Sequence, residues 1–377
     1  PIWWAYSISL GLFFLALPFT RYMHIPTEII LIALRNAGIK SSKSRGGYAD
    51  AEIFSCSSCG ICIDACPMSA KKRNLKNTTV YFIRFLRRFN GKEIISADKC
   101  LMCGKCVELC PVGIDSCRLK RLRREENLKH SGNQDYSYLP SFKDKNEKHF
   151  DVLYYGGCMT SLTPIISKSL CSILKKANVS YEYLDKNDSI CCGRPLLLAG
   201  KSSDAKELIN KNSDLIKQFN AKILLVSCPI CFKVFNEDYQ LKGIKIMHHT
   251  QFLDLLIKNS ALKLNFSGKS YTYHDPCELG RGSNVYKAPR RVLSFIGDLS
   301  SLSKEKNESV CCGGSLGSLS LSAAERKAIT ESSLEILYEN RPEEIITACP
   351  LCMKTFSQYS KLPVKDISQI VLENIKN

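Results

Sequence analysis

Eighteen of the twenty cysteines of this chain fall into four spaced sets, and that spacing constrains the chain more than any other feature. Two sets have the spacing C-x2-C-x2-C-x3-C and run directly into a proline: Cys56, Cys59, Cys62 and Cys66, then Cys100, Cys103, Cys106 and Cys110. The other ten form two copies of one pattern: Cys158, Cys191, Cys192, Cys228 and Cys231, then Cys277, Cys311, Cys312, Cys349 and Cys352. Corresponding cysteines of the copies are 119 to 121 residues apart, which indicates an internal duplication.

The first two sets predict a pair of cubane 4Fe–4S clusters. In runs of this spacing, the fourth cysteine ligates the cluster of the other run. We therefore predict that Cys110 completes the cluster of Cys56, Cys59 and Cys62, and that Cys66 completes the cluster of Cys100, Cys103 and Cys106. Zinc is the alternative, but zinc sites take their four ligands from two separate pairs rather than from four cysteines in eleven residues.

The duplicated half alternates short apolar runs with helical periodicity, which predicts a parallel α/β unit in each copy. Strands are expected near residues 150–155 and 221–227 in the first copy, and 270–274 and 343–347 in the second. Helices are expected at 164–177, 202–219, 287–296 and 323–339. The cysteines then lie in loops at strand ends and helix starts, where open sheets carry their sites.

The segment His274-Asp275-Pro276-Cys277-Glu278-Leu279-Gly280-Arg281 and the two Cys-Cys-Gly motifs resemble those of the heterodisulfide reductase iron–sulfur proteins. The similarity is to D-subunit-like members, which are related to the C subunit of anaerobic glycerol-3-phosphate dehydrogenase and to glycolate oxidase iron–sulfur subunits. It covers residues 50–377. It implies that each five-cysteine set holds a noncubane 4Fe–4S cluster, and that disulfide or related redox chemistry takes place there.

We therefore predict an α/β protein in which a helical dicluster ferredoxin domain precedes a duplicated α/β CCG domain, with an N-terminal transmembrane helix. The expected domains are a membrane and interfacial helix at 1–40, the dicluster domain at 50–135, and CCG domains at 149–260 and 268–377. Polar segments at 41–47 and 135–148 are interpreted as linkers. Residues 78–89 are expected to form an amphipathic helix between the cubane motifs.

Residues 2–19 are uncharged and apolar, which predicts a membrane-spanning helix. Trp3 and Trp4 at one end, with Arg21 and Tyr22 at the other, have the character of interface anchors. Basic residues follow, so the iron–sulfur domains are expected on the cytoplasmic side of a cytoplasmic membrane.

His24 follows this segment, which is similar to the end of a cytochrome b-type membrane domain. The resemblance implies that His24 binds haem b shared with a membrane partner, because the segment has no second histidine. The alternative is an ordinary interfacial histidine.

The formal charge of +17 overstates the electrostatic field, because each cubane with four thiolates carries about −2. The basic runs beside the cubane motifs lack the aromatic residues that bind bases, so nucleic acid is not expected as a partner. A Gly-rich dinucleotide fingerprint after a strand is also missing from the sequence. Electrons must therefore come from or go to another subunit or a quinone.

Each copy is expected to bind one cluster, with more of the proton-coupled work at the second copy, through Cys277, Cys311, Cys312, Cys349, Cys352 and His274. Arg281 would stabilise a leaving thiolate, and His274 would supply a proton. The alternative for His274 is a hydrogen bond that tunes the cluster. The two cysteines outside the sets, Cys117 and Cys171, are interpreted as ordinary buried thiols.

Together these features favour a membrane-anchored electron-transfer subunit that connects a quinone or haem b with a disulfide or related sulfur substrate. The alternative is a pure relay subunit of a quinone-linked glycerol-3-phosphate, glycolate or lactate dehydrogenase, with a flavoprotein partner.

Overall fold

The computed structural model describes residues 1–39, 47–69, 75–89, 95–128, 150–187, 189–314 and 316–376. The chain divides into two compact units. The first takes residues 1–100 and 104–127, and the second takes 101–103 and 128–377. The predicted linkers at 41–47 and 135–148 lie almost wholly outside the described residues.

The first unit is helical throughout its described part. Its α-helices are α1 (Ile2–Ala16), α2 (His24–Asn36), α3 (Tyr48–Ser55), α4 (Ile61–Ala65), α5 (Thr79–Phe89), α6 (Ile95–Asp98), α7 (Lys105–Glu108) and α8 (Ser116–Asn127). Short 3₁₀ turns join several of them. Helix α5 confirms the amphipathic helix expected at 78–89, and its apolar face buries Phe82 and Ile83.

Helix α2 belongs to the core of the cluster domain, although the sequence placed it with the membrane segment. Leu31 is fully buried and packs in one apolar cluster with Ala49 and Ile83. Near the end of the helix, the Arg35 guanidinium donates hydrogen bonds to the carbonyls of Val112 (2.7 Å) and Gly113 (2.9 Å). These contacts fix α2 against the loop that follows the second cysteine run.

The predicted membrane-spanning helix at 2–19 is shorter in the structure. Helix α1 has 15 residues and gives way at Leu17 to a 3₁₀ turn that contains Pro18, whose missing N–H cannot continue the helical ladder. At 1.5 Å per residue it is about 22 Å long, against about 30 Å of bilayer hydrocarbon. None of the helices described here is both long and apolar enough to cross a membrane.

The second unit contains two four-stranded parallel sheets, one in each cysteine-rich copy. Their strand orders are β2-β1-β3-β4 and β6-β5-β7-β8. The strands are β1 (Val152–Tyr155), β2 (Tyr181–Tyr183), β3 (Ile223–Val226), β4 (Lys245–His248), β5 (Ser270–Tyr273), β6 (Asp298–Ser300), β7 (Glu344–Thr347) and β8 (Val364–Asp366). The identical order confirms the duplicated α/β fold.

Each strand is followed by at least one helix in both copies. In the first they are α9 (Cys158–Ser161), α10 (Pro164–Lys176), α11 (Arg194–Ala199), α12 (Ser202–Lys217), α13 (Pro229–Glu237) and α14 (His249–Lys258). In the second they are α15 (Lys287–Ser294), α16 (Ala323–Leu337), α17 (Pro350–Ser357) and α18 (Ile367–Glu373). The first copy thus has two additional short helices, α9 and α11. The four predicted helices correspond to α10, α12, α15 and α16, and the four predicted strands to β1, β3, β5 and β7.

The two copies pack against each other through exchanged contacts. Helix α10 of the first copy contacts α18 of the second, and α15 of the second contacts α14 of the first. Their apolar side chains merge into one core that includes Leu170, Leu253, Val292 and Ile370. The carboxyl ends of β3 and β7 lead into the two Cys-Pro-x-Cys motifs.

Candidate iron–sulfur centres

The first cubane set and the fourth cysteine of the second run share one cavity. Its lining contains Cys56, Cys59, Cys62 and Cys110, together with Cys106. Burial raises the pKa of Cys62 to about 11. The structure therefore brings Cys110 to the first run, as the crossed ligation predicts.

The buried amine of Lys120 lies beside cysteines of the second cubane set. Burial alone would lower its pKa, but the nearby thiolates of Cys100, Cys106 and Cys66 outweigh burial and raise it. Cys66 therefore lies near the same amine as Cys100 and Cys106 of the second run. A buried ammonium among these thiolates offsets the negative charge that a cluster brings.

Cys117 also lies in this cluster environment, which the sequence did not predict. Its thiol is hydrogen-bonded to Cys100 and Cys106, and both contacts and burial raise its pKa. The same contact lowers the pKa of Cys106 to about 6. Cys117 is one helical turn before Lys120 on α8, so the two side chains lie on the same face of the helix. This spacing is the sequence feature that could have predicted the position of Cys117 beside the cluster.

Removing the Lys120 charge is expected to lower a cluster potential. In Lys120→Met, the reduced cluster loses its neighbouring cation, so the midpoint potential of one cubane should fall by on the order of 50–100 mV. Arg121→Met, which removes a half-buried cation from the next position of α8, is the control. Redox titration followed by electron paramagnetic resonance measures both variants, and an unchanged potential in Lys120→Met would contradict the assignment.

The five cysteines of the first cysteine-rich copy are linked in series by hydrogen bonds between their thiols. Hydrogen bonds join the thiol of Cys158 to that of Cys191, Cys191 to Cys192, Cys192 to Cys231, and Cys231 to Cys228. The hydrogen bond from Cys158 lowers the pKa of Cys191 to about 3. Since the thiolate is the form that binds metal, this set is chemically suited to ligation.

The second copy repeats the arrangement. Hydrogen bonds join the thiol of Cys277 to that of Cys311, Cys311 to Cys312, Cys312 to Cys352, and Cys352 to Cys349. The hydrogen bond from Cys311 is the main reason that the pKa of Cys312 is held well below its usual value. All ten predicted thiols thus meet in two equivalent groups.

The two groups join at Cys228 and Cys349, whose thiols are hydrogen-bonded to each other. Cys228 directly precedes α13 and Cys349 directly precedes α17, so the junction lies between two helix N-termini. Hydrogen bonds from Cys231 and Cys349, supported by the backbone amides of Cys231 and Ile230, hold the pKa of Cys228 well below its usual value. Ten cysteines from both copies therefore form one continuous network.

Glycine is required at the turn of each Cys-Cys-Gly motif. Gly193 and Gly313 have φ of +86°, a left-handed conformation that side chains disfavour. A Cβ at Gly313 would also lie 2.9 Å from Thr330 Oγ1. The motif thus turns the chain so that both preceding cysteines face the site.

A second polar link between the copies lies near the half-buried cysteines. Arg194, directly after the first Cys-Cys-Gly, donates to the Glu278 carboxylate at 3.2 Å. Glu278 follows Cys277, so the pair connects one copy's double cysteine to the other copy's first cysteine. Cys158, Cys191 and Cys277 are half-buried, whereas Cys228 and Cys349 are buried.

Behind the Cys228–Cys349 junction lies a buried group of two histidines and a carboxylate. His249 Nε2 is 3.3 Å from Asp366 Oδ1, and both side chains are fully buried. The neighbouring His248 lies against the backbone of Ser227 and Ala348, the residues before the junction cysteines. Burial lowers the His248 pKa well below its usual value, so this ring is neutral near pH 7. The group fixes the junction from behind.

His274 is placed as a buried hydrogen-bonding group. Its Nε2 lies 3.1 Å from the Val310 carbonyl, and its ring packs edge-on against Phe356. Burial lowers its pKa although the nearby Cys312 thiolate opposes the shift, so the ring is neutral near pH 7. This geometry favours the positioning alternative over a cationic proton donor.

Arg281 lies beside Cys277 and Cys311, where the sequence analysis predicted a cation. Its Nε donates to the Cys103 carbonyl (2.9 Å) and its Nη1 to the Ser309 carbonyl (2.8 Å). Burial opposes its charge, but the thiolates of Cys103, Cys277 and Cys311 raise its pKa above the usual value. Cys103 and Cys311 are themselves hydrogen-bonded. Segment Leu101–Cys103 is accordingly part of the second unit.

The donor chemistry fits iron–sulfur clusters better than single metal ions. A zinc ion needs four ligands around one point. A cluster instead takes each thiolate on a different iron atom, which suits thiols spread along a network.

Comparison with protein families assigns each half of the chain to a known domain family. Residues 55–114 match the 4Fe-4S dicluster domain, and residues 152–236 and 271–357 match the cysteine-rich domain CCG. The chain is a CCG-domain iron–sulfur protein. The predicted order of a dicluster segment and two CCG domains is confirmed.

Curated relatives of this CCG-domain protein include named oxidoreductases. An uncharacterized iron–sulfur protein of Methanococcus maripaludis is 29% identical over 80% of this chain and 56% of its own length. The D subunit of dihydromethanophenazine:CoB–CoM heterodisulfide reductase from Methanosarcina barkeri is 29% identical over 61% and 60%. EtfAB:quinone oxidoreductase of Syntrophomonas wolfei is 30% identical over 55% and 31%. The resemblance to the heterodisulfide reductase proteins is thus confirmed, and the chain spans about a third to three fifths of these relatives.

Proposed function

We propose that this CCG-domain protein is an electron-transfer subunit that delivers electrons from a quinol or haem b to a disulfide or related sulfur substrate. The observation that supports this most is the Cys228–Cys349 contact, which joins the two cysteine groups. A disulfide presents two sulfur atoms, and each group can hold one metal site. One substrate can therefore contact both copies at once.

Clusters bound by these cysteines would supply electrons one at a time. Reduction of one disulfide consumes two electrons and two protons and yields two thiols. The chain's own part is to hold positive charge beside the site and exclude water. Arg281 lies against Cys277 and Cys311, and its charge stabilises thiolate products there.

Access to the site is proposed from the side of the half-buried Cys158, Cys191 and Cys277. The Arg194–Glu278 pair lies at this side and connects the copies. The paired His249 and Asp366, by contrast, are fully buried. Substrate entry near Arg194 leaves the buried junction protected from solvent.

The proposal includes two cubane and two noncubane clusters, as the resemblance implies. It also includes association with a membrane cytochrome b-like or quinone-reactive subunit at the cytoplasmic side of a cytoplasmic membrane. Helix α1 supports a membrane contact because its side chains are apolar and exposed, Ile2 by 87% and Leu15 by 72%. Haem b ligation by His24 is included as the resemblance to a cytochrome b-type membrane segment implies.

Disulfide reduction by the iron-loaded protein tests the proposal. With a reduced viologen as donor and low-molecular-weight disulfides as acceptors, we expect viologen oxidation and two thiols formed per disulfide consumed. Protein stripped of iron is the control and should be inactive. Clusters that viologen reduces and a quinone reoxidises, with no thiol formed from any disulfide, would contradict the proposal.

That contrary result would favour the second candidate, a pure relay between a flavoprotein dehydrogenase and a quinone. The similarity to the protein named EtfAB:quinone oxidoreductase is the observation in its favour. A relay needs no substrate at the CCG sites, so alkylation of Cys158 and Cys277 would then leave viologen–quinone transfer unchanged.

A further inference from the structure

A cleft of about 640 Å³ opens in the first unit beside the first cysteine run. Its lining residues are Phe19, Thr20, Met23, Phe54, Ser58, Arg84, Arg87 and Arg88. Phe54 lies two residues before Cys56, and Ser58 lies directly before Cys59. The volume is in the range of small-molecule sites, roughly 300–1,000 Å³.

The arginines of α5 divide into a structural one and two exposed ones that line the cleft. The Arg87 guanidinium donates to the carbonyls of Ile53 and Phe54 at 2.7–2.9 Å, and to that of Cys56 at 2.6 Å. It thereby ties α5 to the start of the cysteine run. Arg84 and Arg88 are exposed, and Arg84 lies over the Tyr81 ring. Within the described part of the chain, neither has a carboxylate partner.

The lining also contains apolar side chains. Phe19 is 91% exposed, and Met23 and Phe54 are half-buried beside it. A flat apolar ring would pack on Phe19 and Met23 and remove them from water. Guanidinium N–H groups are rigid donors that suit carbonyl oxygens on such a ring.

We propose that this cleft binds the ring of a quinone, with Arg84 and Arg88 donating hydrogen bonds to its carbonyl oxygens and Phe19 and Met23 packing on its faces. The assignment rests on the proposed quinol donor and gives that donor a place in this chain. An anionic phospholipid is the other amphiphile that arginines attract. A quinone is favoured because the lining residues Phe54 and Ser58 are sequence neighbours of Cys56 and Cys59, where a redox molecule has a use and a lipid has none.

Binding of a short-chain naphthoquinone to the iron-loaded protein tests the proposal. Calorimetry should give a dissociation constant that rises at least tenfold in the double variant Arg84→Gln/Arg88→Gln, and also rises in Phe19→Ser. Lys76→Gln, an exposed cation of the same unit, should bind like the wild type. Iron content and thermal unfolding of each variant show that the fold is kept, and the substituted arginines are exposed.

Salt and lipid distinguish the two amphiphiles. Hydrogen bonds to a neutral quinone should hold at 0.5 M salt, whereas attraction to anionic lipid is screened. Photolabelling with an azidoquinone should modify peptides that contain Phe19 or Arg88. Failure of naphthoquinone to bind, equal binding by the double variant, or displacement of the label by phosphatidylglycerol vesicles only at low salt would overturn the proposal. A wild type that binds quinone here but reduces no disulfide overturns the proposed function and supports the cleft.

Discussion

Replacing Cys66 with serine is expected to remove the cluster of the other cysteine run. The protein should lose about four iron atoms and the signal of the cluster held by Cys100, Cys103 and Cys106. The physical reason is that Cys66 lies with Cys100 and Cys106 around the buried Lys120. The cavity of the first run has Cys110 as its fourth cysteine instead.

Iron analysis and electron paramagnetic resonance measure this result, with Cys59→Ser as the reference for loss of the first cluster. Cys171→Ser is the matched control, because Cys171 belongs to none of the four sets and is half-buried. It should keep full iron content. If Cys66→Ser reproduced the spectrum of Cys59→Ser, the crossed ligation would be wrong.

Cysteine spacing carried most of the site prediction because iron–sulfur ligation imposes local geometry on few residues. The four predicted strands of the CCG copies were recognisable as apolar runs, since they are the buried inner strands β1, β3, β5 and β7. Edge strands such as β2 and β6 are three residues long and only half-buried. They carry no apolar run, so periodicity could not find them.

The contacts between the two copies could not be predicted from the sequence. The Cys228–Cys349 contact, the Arg194–Glu278 pair and the His249–Asp366 pair each join residues about 80 to 120 positions apart. The duplication predicted two similar sites but not their direct contact. Only the exchanged packing of α10 with α18 and of α14 with α15 brings them together.

The N-terminal prediction differs from the structure for a local reason. Hydropathy averages over residues 2–19 and ignores that the α-helix ends at Ala16 before a 3₁₀ turn. The next helix, α2, has an apolar stripe with the buried Leu31, and it packs on the cluster domain. Composition identified both segments as apolar, but their lengths and partners followed from backbone breaks and tertiary contacts.

The central claim is that the two CCG copies form one reaction site, and variants of the first cysteine in each copy test it most directly. These cysteines, Cys158 and Cys277, are half-buried members of their groups. Viologen-driven disulfide reduction should be measured in Cys158→Ala, Cys277→Ala and the double variant, with the iron content of the unaltered copy verified in each single variant.

Groups that act as a unit give non-additive losses. We therefore predict that each single variant loses at least about 100-fold in kcat and that the double variant is no slower than either single one. If Cys158→Ala retained the wild-type rate while Cys277→Ala lost it, the second copy would work alone and the shared site would be contradicted.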